Sequence, residues 1–201
     1  MAEAANNGRA DWQQTASGVA FFPLKPRVEE VRLHDIAHSL ALVNRYGGHT
    51  PAPYSVAQHS ALVLKRVREI LAEDLPLPPD ERLNIERWAL LHDAAEAYVG
   101  DMVRPLKIAP QMAAYRDAEK LVMEVIATRF QLKGFEPAVV KRADNDLLAT
   151  EAGFFFPPRE RPMAWNLTGA RCGHINVAPL FWVDAELLFK TEFKTLWPEE
   201  A

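Results

Sequence analysis

One cysteine, Cys172, stands in a chain of 201 residues. A lone thiol excludes an internal disulfide framework and a cysteine-rich zinc module. There is no basic excess either. The 23 Lys and Arg against 27 Asp and Glu leave a net charge of −4, without the positive footprint that holding long nucleic acid demands. Apolar runs fall well short of the roughly 18 residues that a membrane span requires, so no membrane partner is expected. The opening stretch, MAEAANNGRADW, lacks the apolar core of a signal peptide, and a cytoplasmic location is the expectation. Strand-like alternation is scarce. What remains is an ordinary apolar and charged balance, 49% and 25%, enough to bury one sizeable core.

Two residue types stand out against that background. Fifteen prolines exceed the usual share of roughly 5%, and they fall in clusters that divide the chain. Pro23 and Pro26 close an N-terminal arm; Pro51 and Pro53, then Pro76, Pro78 and Pro79, then Pro157, Pro158 and Pro162 mark later breaks. Each removes a backbone donor and biases its predecessor away from helix. Between the breaks, apolar residues recur at three and four. Leu33, Ile36, Ala37 and Leu40 trace one helical face, and Val56, Val63, Val67 and Ile70 another. Further patterns run over 83–98, 113–130, 138–152 and 184–196. Asp80 and Glu81 suit a helix entry, and Pro137 a first helical position. The expected fold is all-α: five or six main helices, with an arm over 1–27, a helical core over 28–155, and an irregular segment plus final helix over 156–201.

The second is histidine, at 34, 38, 49, 59, 92 and 174. The most informative neighbourhood is LLHDAAEAYVGDMVRPLK, residues 90–107. His92 and Asp93 are adjacent, Glu96 follows one helical turn later, and Asp101 comes after Gly100. The helix before them is apolar, so this polar group is expected at the buried end of a hydrophobic helix, where charges need a cation or a catalytic reason. His59 and Asp144 lie on other apolar helices and are candidates to complete a shell. Mixed imidazole and carboxylate ligands suit Mn, Fe, Co, Ni or Zn better than Ca.

The order His59, His92-Asp93, Asp144 resembles the H…HD…D signature of the HD-domain metal-dependent phosphohydrolases. HDAAEAYVGDMVRPLK is similar to the HD-x-x-E…GD…P-x-K run of their small single-domain nucleotidase branch. That branch includes bacterial deoxynucleoside 5′-monophosphatases and phage deoxynucleoside triphosphohydrolases. SVAQHS resembles its first-histidine motif and KRAD its last-aspartate motif; the likeness covers about residues 28–155 and, weakly, the final helix. It implies one divalent metal (Mn, Co, Fe, Ni, Zn or Mg) on His59, His92, Asp93 and Asp144. It implies Glu96 as acid or base, and Asp101 as the residue that orients or deprotonates the attacking water. Arg45 would contact phosphate, Tyr46 would pack on the sugar or base, and Lys107 is a further phosphate candidate. The substrate would be a small (deoxy)nucleotide, mono- or triphosphate.

Asp146 would point about 200° away from Asp144 on one helix. His34-Asp35 is a second HD dipeptide, but Asp35 reads as a first-turn acid, and His38 as a core residue or one that hydrogen-bonds a ligand. His49, after Gly47-Gly48, is a substrate-side candidate, and His174 is read as unrelated. The run Phe154–Phe156 is read as exposed and suggests a homodimer or higher homo-oligomer. Two other functions remain open: a cyclic-nucleotide or alarmone phosphodiesterase, which would call for about two metals, and a non-catalytic metal-stabilised nucleotide-binding module.

Overall fold

The computed structural model describes residues 11–73, 76–157 and 163–200. Pro158, Pro162 and the first ten residues of the expected arm lie outside the described residues. The fold is all-α, as its periodicity predicts. Its helices are α1 (Leu33–Leu42), α2 (Val56–Glu73), α3 (Pro79–Leu91), α4 (Glu96–Val99), α5 (Arg104–Lys107), α6 (Ala113–Arg129), α7 (Ala138–Phe155) and α8 (Trp182–Leu196). The arm carries a small antiparallel hairpin, Gln13–Gln14 against Ala20–Phe21. No helix among the described residues is long and apolar enough to cross a membrane.

Helix α2 is the axis of the bundle, packing against α1, α3, α7 and α8. Its first turns are buried on every side: residues 54–61 are all buried, and a helix enclosed all round belongs to the core. That burial carries His59 inward together with Val56, Ala57 and Val63. Helix α3 starts as its sequence suggests, with Pro79 in the first turn and Asp80 and Glu81 beside the positive end of the helix dipole. Pro137 sits one residue earlier than expected, at the N-cap of α7.

The pattern over 83–98 is not one helix. Helix α3 ends at Leu91, and hydrogen bonds then tighten to i→i+3: Ala94 to Leu91 at 3.0 Å, Glu96 to Asp93 at 3.0 Å, Ala97 to Ala94 at 3.2 Å. With about three residues per turn, positions three apart eclipse. Asp93 and Glu96 are therefore brought to one side, where regular helix would have aligned His92 with Glu96.

The irregular segment before α8 is held by side chains in place of regular backbone pairing. Asp146 accepts the Ala170 N–H at 2.8 Å and Thr150 Oγ1 accepts that of Cys172 at 2.8 Å. Gln58 donates to the Ala178 carbonyl at 2.7 Å and accepts from the Leu180 N–H at 2.9 Å. Gly169 lies directly on α7: a Cβ there would stand 2.0 Å from the Asn145 carbonyl oxygen. Since backbone cannot yield as a flexible side chain can, Gly169→Ala is expected to destabilise by about 1–3 kcal/mol. Thermal unfolding checks this; an unchanged midpoint would show that the segment is not seated there.

The three phenylalanines behave differently from a uniformly exposed run. Phe155 is buried, Phe156 is partly buried, and only Phe154 presents about half of its surface to solvent. The reason is helical: α7 continues through Phe155, so successive rings point in different directions. The exposed patch on which a homo-oligomer was expected is thus reduced to one ring.

Candidate metal centre

Four elements deliver side chains to one point. Helix α2 brings His59, the end of α3 and the turn after it bring His92 and Asp93, α7 brings Asp144, and the turn Arg45–Gly48 brings Arg45. His59, His92 and Asp93 offer ligand atoms that all lie within 4.8 Å of one another. His92 Nε2 is 3.2 Å from Asp93 Oδ2, and His59 Nε2 is 3.9 Å from the same oxygen. Asp144 closes the group, its Oδ1 3.3 Å from His59 Nε2. His59, His92 and Asp93 could hold a metal ion.

The orientations of the two rings are set by what holds the outer nitrogens. His92 Nδ1–H donates to the Ala89 carbonyl at 2.9 Å, an oxygen that can only accept. His59 Nδ1–H donates to Glu151 at 2.6 Å. Both Nε2 atoms therefore face inward. Both are buried, and neither has a hydrogen-bond partner. Buried polar atoms without partners are rare and call for an explanation; two imidazole nitrogens converging on two carboxylates fit a cation. An outer nitrogen fixed by a carboxylate or carbonyl is the usual support of a ligating histidine.

The cluster's charge shifts its own ionisation. The Asp93 carboxyl is held well below the ordinary range: burial works the other way, and His92 outweighs it. Asp144 is likewise held down, against burial, chiefly by His59. His92 is raised to about 9; burial opposes this, and Asp93 prevails. Glu96 moves in the opposite direction. It is pushed well up by burial first, then by Asp93 and Asp101, and its Oε2 is buried without a partner. Asp101 is also raised by burial, with Arg45 pulling down and Asp93 pushing up.

Glu151 is the residue that reading the sequence missed. Fully buried on α7, its carboxylate accepts from His59 Nδ1, from Tyr46 Oη at 2.6 Å, from Tyr54 Oη at 3.0 Å and from Arg45 Nε at 3.3 Å. Those donors hold it ionised, with burial opposed by Arg45 and His59 and the carboxyl lowered to about 2. Its signal was present: seven residues after Asp144, two turns along, it shares that residue's helix face. Tyr46 completes the arrangement in a left-handed conformation, φ 60°, unusual for an aromatic residue and often a mark of a functional constraint. Its ring stacks on Trp165 at 6.4 Å and meets Phe156 edge-on at 5.3 Å.

No family model matches the chain. The chain is 32% identical over 190 residues to the Escherichia coli protein YfdR, a match spanning 91% of this chain and 94% of that protein. The chain belongs to the YfdR family. A Rhodobacter capsulatus protein is 38% identical over 137 residues, covering 66% of this chain and 64%, just under two thirds, of that protein. Both relatives are uncharacterised proteins.

In this YfdR-family chain the remaining candidates separate. Arg45 is at the cluster, Nη1 3.5 Å from Asp93 Oδ2. Lys107 stands beside Glu96 at 3.9 Å, but Glu119 holds its ammonium at 2.6 Å. His49 is exposed, its backbone N–H donating to the Tyr46 carbonyl at 3.2 Å. Asp146 is not at the cluster; it pairs with Arg66 at 3.0 Å. His38 bonds no ligand: its Nδ1 meets Glu186 of α8 at 3.0 Å, because it lies on the α1 face toward α8. Asp35 is a first-turn acid that also accepts from Ser17 N–H at 2.6 Å and Ser17 Oγ at 2.7 Å, tying down the arm. His174 pairs with Glu69 at 3.0 Å on the surface.

Proposed function

We propose that this protein is a metal-dependent phosphohydrolase of the HD-domain type, acting on nucleotides. The observation that carries the reading is the pair of buried Nε2 atoms, without hydrogen bonds of their own, that converge on the carboxylates of Asp93 and Asp144 at 3.2 and 3.3 Å. Two imidazoles and two carboxylates make a shell for one ion such as Mn, Fe, Co, Ni or Zn. When bound, such an ion supplies Lewis acidity toward a phosphoryl oxygen and lowers the pKa of water.

The chain's own groups do the rest. Arg45 spends Nε on Glu151 and has Nη1 near Asp93, leaving further donors of its planar fork for an anionic oxygen. Tyr46, with Phe156 and Trp165 against it, supplies an aromatic wall beside Arg45 suited to a sugar or base. Glu96, raised by burial and by its acidic neighbours, is suited to take a proton from attacking water and return one to the leaving oxygen. Asp101 feels Arg45, Asp93 and Lys107 and is the group we assign to orient that water. Lys107, held by Glu119 at 2.6 Å and 3.9 Å from Glu96, adds positive charge on that side of the site.

The test is a panel of nucleoside mono- and triphosphates incubated with protein loaded with Mn²⁺ or Co²⁺. Release of phosphate or tripolyphosphate is expected, with about one metal per chain. His92→Ala should lose both the metal and the turnover. If no member of the panel is hydrolysed, the reading is wrong.

A further inference from the structure

Among the described residues, Arg45, Lys107 and Lys141 lie around the ligand cluster, and they differ in what already holds them. Arg45 is largely buried and reaches both Glu151 and Asp93. Lys107 is bound by Glu119. Lys141 has a side chain 56% exposed, and its Nζ sits 2.6 Å from Oδ2 of Asp144. The other oxygen of that carboxylate, Oδ1, is the one that faces His59 Nε2. Glu136 adds a nearby negative charge to Lys141, but no ion pair joins them among the described residues. The ion-pair partner of Lys141 is therefore a side chain of the metal shell itself.

We propose that Lys141 is an anion-binding residue of this centre, which turns from Asp144 to the substrate's phosphate group once a divalent cation is in place. The inference rests on the phosphohydrolase reading and adds a residue to it. A dication on Asp144 takes up that carboxylate's charge and sets a like charge beside the ammonium, so the Lys141–Asp144 pair weakens. The ammonium is a compact point charge on a flexible four-carbon stem, largely in solvent, free to follow the nearest remaining anion. A phosphate drawn to the cation is that anion. Spacing supports this: position 141 is three residues before 144, so one face of α7 presents both the ligand and the cation.

Calorimetric titration tests it on the full chain, using MnCl₂ and then inorganic phosphate on the Mn²⁺-loaded protein. Lys141→Ala is expected to bind Mn²⁺ at least as tightly as the wild type, because a competing positive charge is gone. Its phosphate affinity is expected to fall roughly tenfold, the size of one charge-assisted hydrogen bond, with Lys141→Arg restoring most of it. Lys141 is exposed, so the fold should persist, and the thermal midpoint verifies that. A purely structural lysine that only orients Asp144 predicts the reverse, weaker Mn²⁺ binding with phosphate affinity unchanged, and that result would overturn the inference. If the wild type takes up Mn²⁺ and hydrolyses nucleotides while Lys141→Ala binds phosphate equally well, this inference fails alone. A wild type that takes up no Mn²⁺ overturns the parent reading and this one together.

Discussion

Glu151→Gln is expected to weaken metal binding by about 10- to 100-fold and to destabilise the fold by about 3–5 kcal/mol. The reason is the number of donors on one carboxylate. His59 Nδ1–H, the hydroxyls of Tyr46 and Tyr54, and Arg45 Nε–H all point at it. An amide keeps the shape but replaces one acceptor oxygen with a donor, which then faces N–H or O–H groups. At least one buried donor is left unpaired, and the Arg45 guanidinium loses the charge that compensates it. The metal effect follows from His59. Without an acceptor on Nδ1 the ring is free to turn or change tautomer, and Nε2 is no longer held toward Asp144. Thermal unfolding and Mn²⁺ titration measure the two effects separately. Wild-type values in both would show that Glu151 only fills space. Tyr54→Phe removes one donor and leaves the others, so its cost should be a fraction of the Glu151 change.

The reach of sequence reasoning here follows from which signals are local. The grouping of His59, His92 and Asp93 was legible because polar residues stood on an apolar helix or at the end of one, where burial needs a reason, and in the order of a known signature. The helices themselves were legible because the core-facing stripes of α2, α6 and α7 keep a 3.6-residue period. Glu151 sits in the same kind of pattern, but its meaning comes from Tyr46 and Tyr54, about a hundred residues distant along the chain. No periodicity records that meeting. The tightening after Leu91 was also hidden, since no glycine or proline announces it and the apolar spacing runs straight through. Lys107 shows the converse limit. Its motif marked it for phosphate, yet Glu119, twelve residues on, holds its charge.

Glu96→Gln separates catalysis from metal holding. Turnover is expected to fall about 10²- to 10⁴-fold, the usual contribution of a positioned acid or base, while metal content stays near that of the wild type. In the proposed shell the ligand atoms come from His59, His92, Asp93 and Asp144, and the Glu96 carboxyl is not among them, so the metal should be retained. Stability should hold or rise: the wild-type side chain is a buried carboxyl with one oxygen unpartnered, its pKa pushed up by burial first and then by Asp93 and Asp101. A neutral amide never carries the charge that this site disfavours. Turnover falls because the amide can neither accept a proton from water nor pass one to the leaving oxygen. The tightened turn makes this role geometrically specific, bringing Asp93 and Glu96 to one side of the chain. Elemental analysis, thermal unfolding and steady-state kinetics on the same preparation give all three quantities. Turnover within about fivefold of the wild type would remove Glu96 from the chemistry and leave Asp101, on the far side of Gly100, as the group to examine. Loss of metal together with turnover would instead place the Glu96 carboxyl in the shell, and the assignment of Asp144 would then need revision.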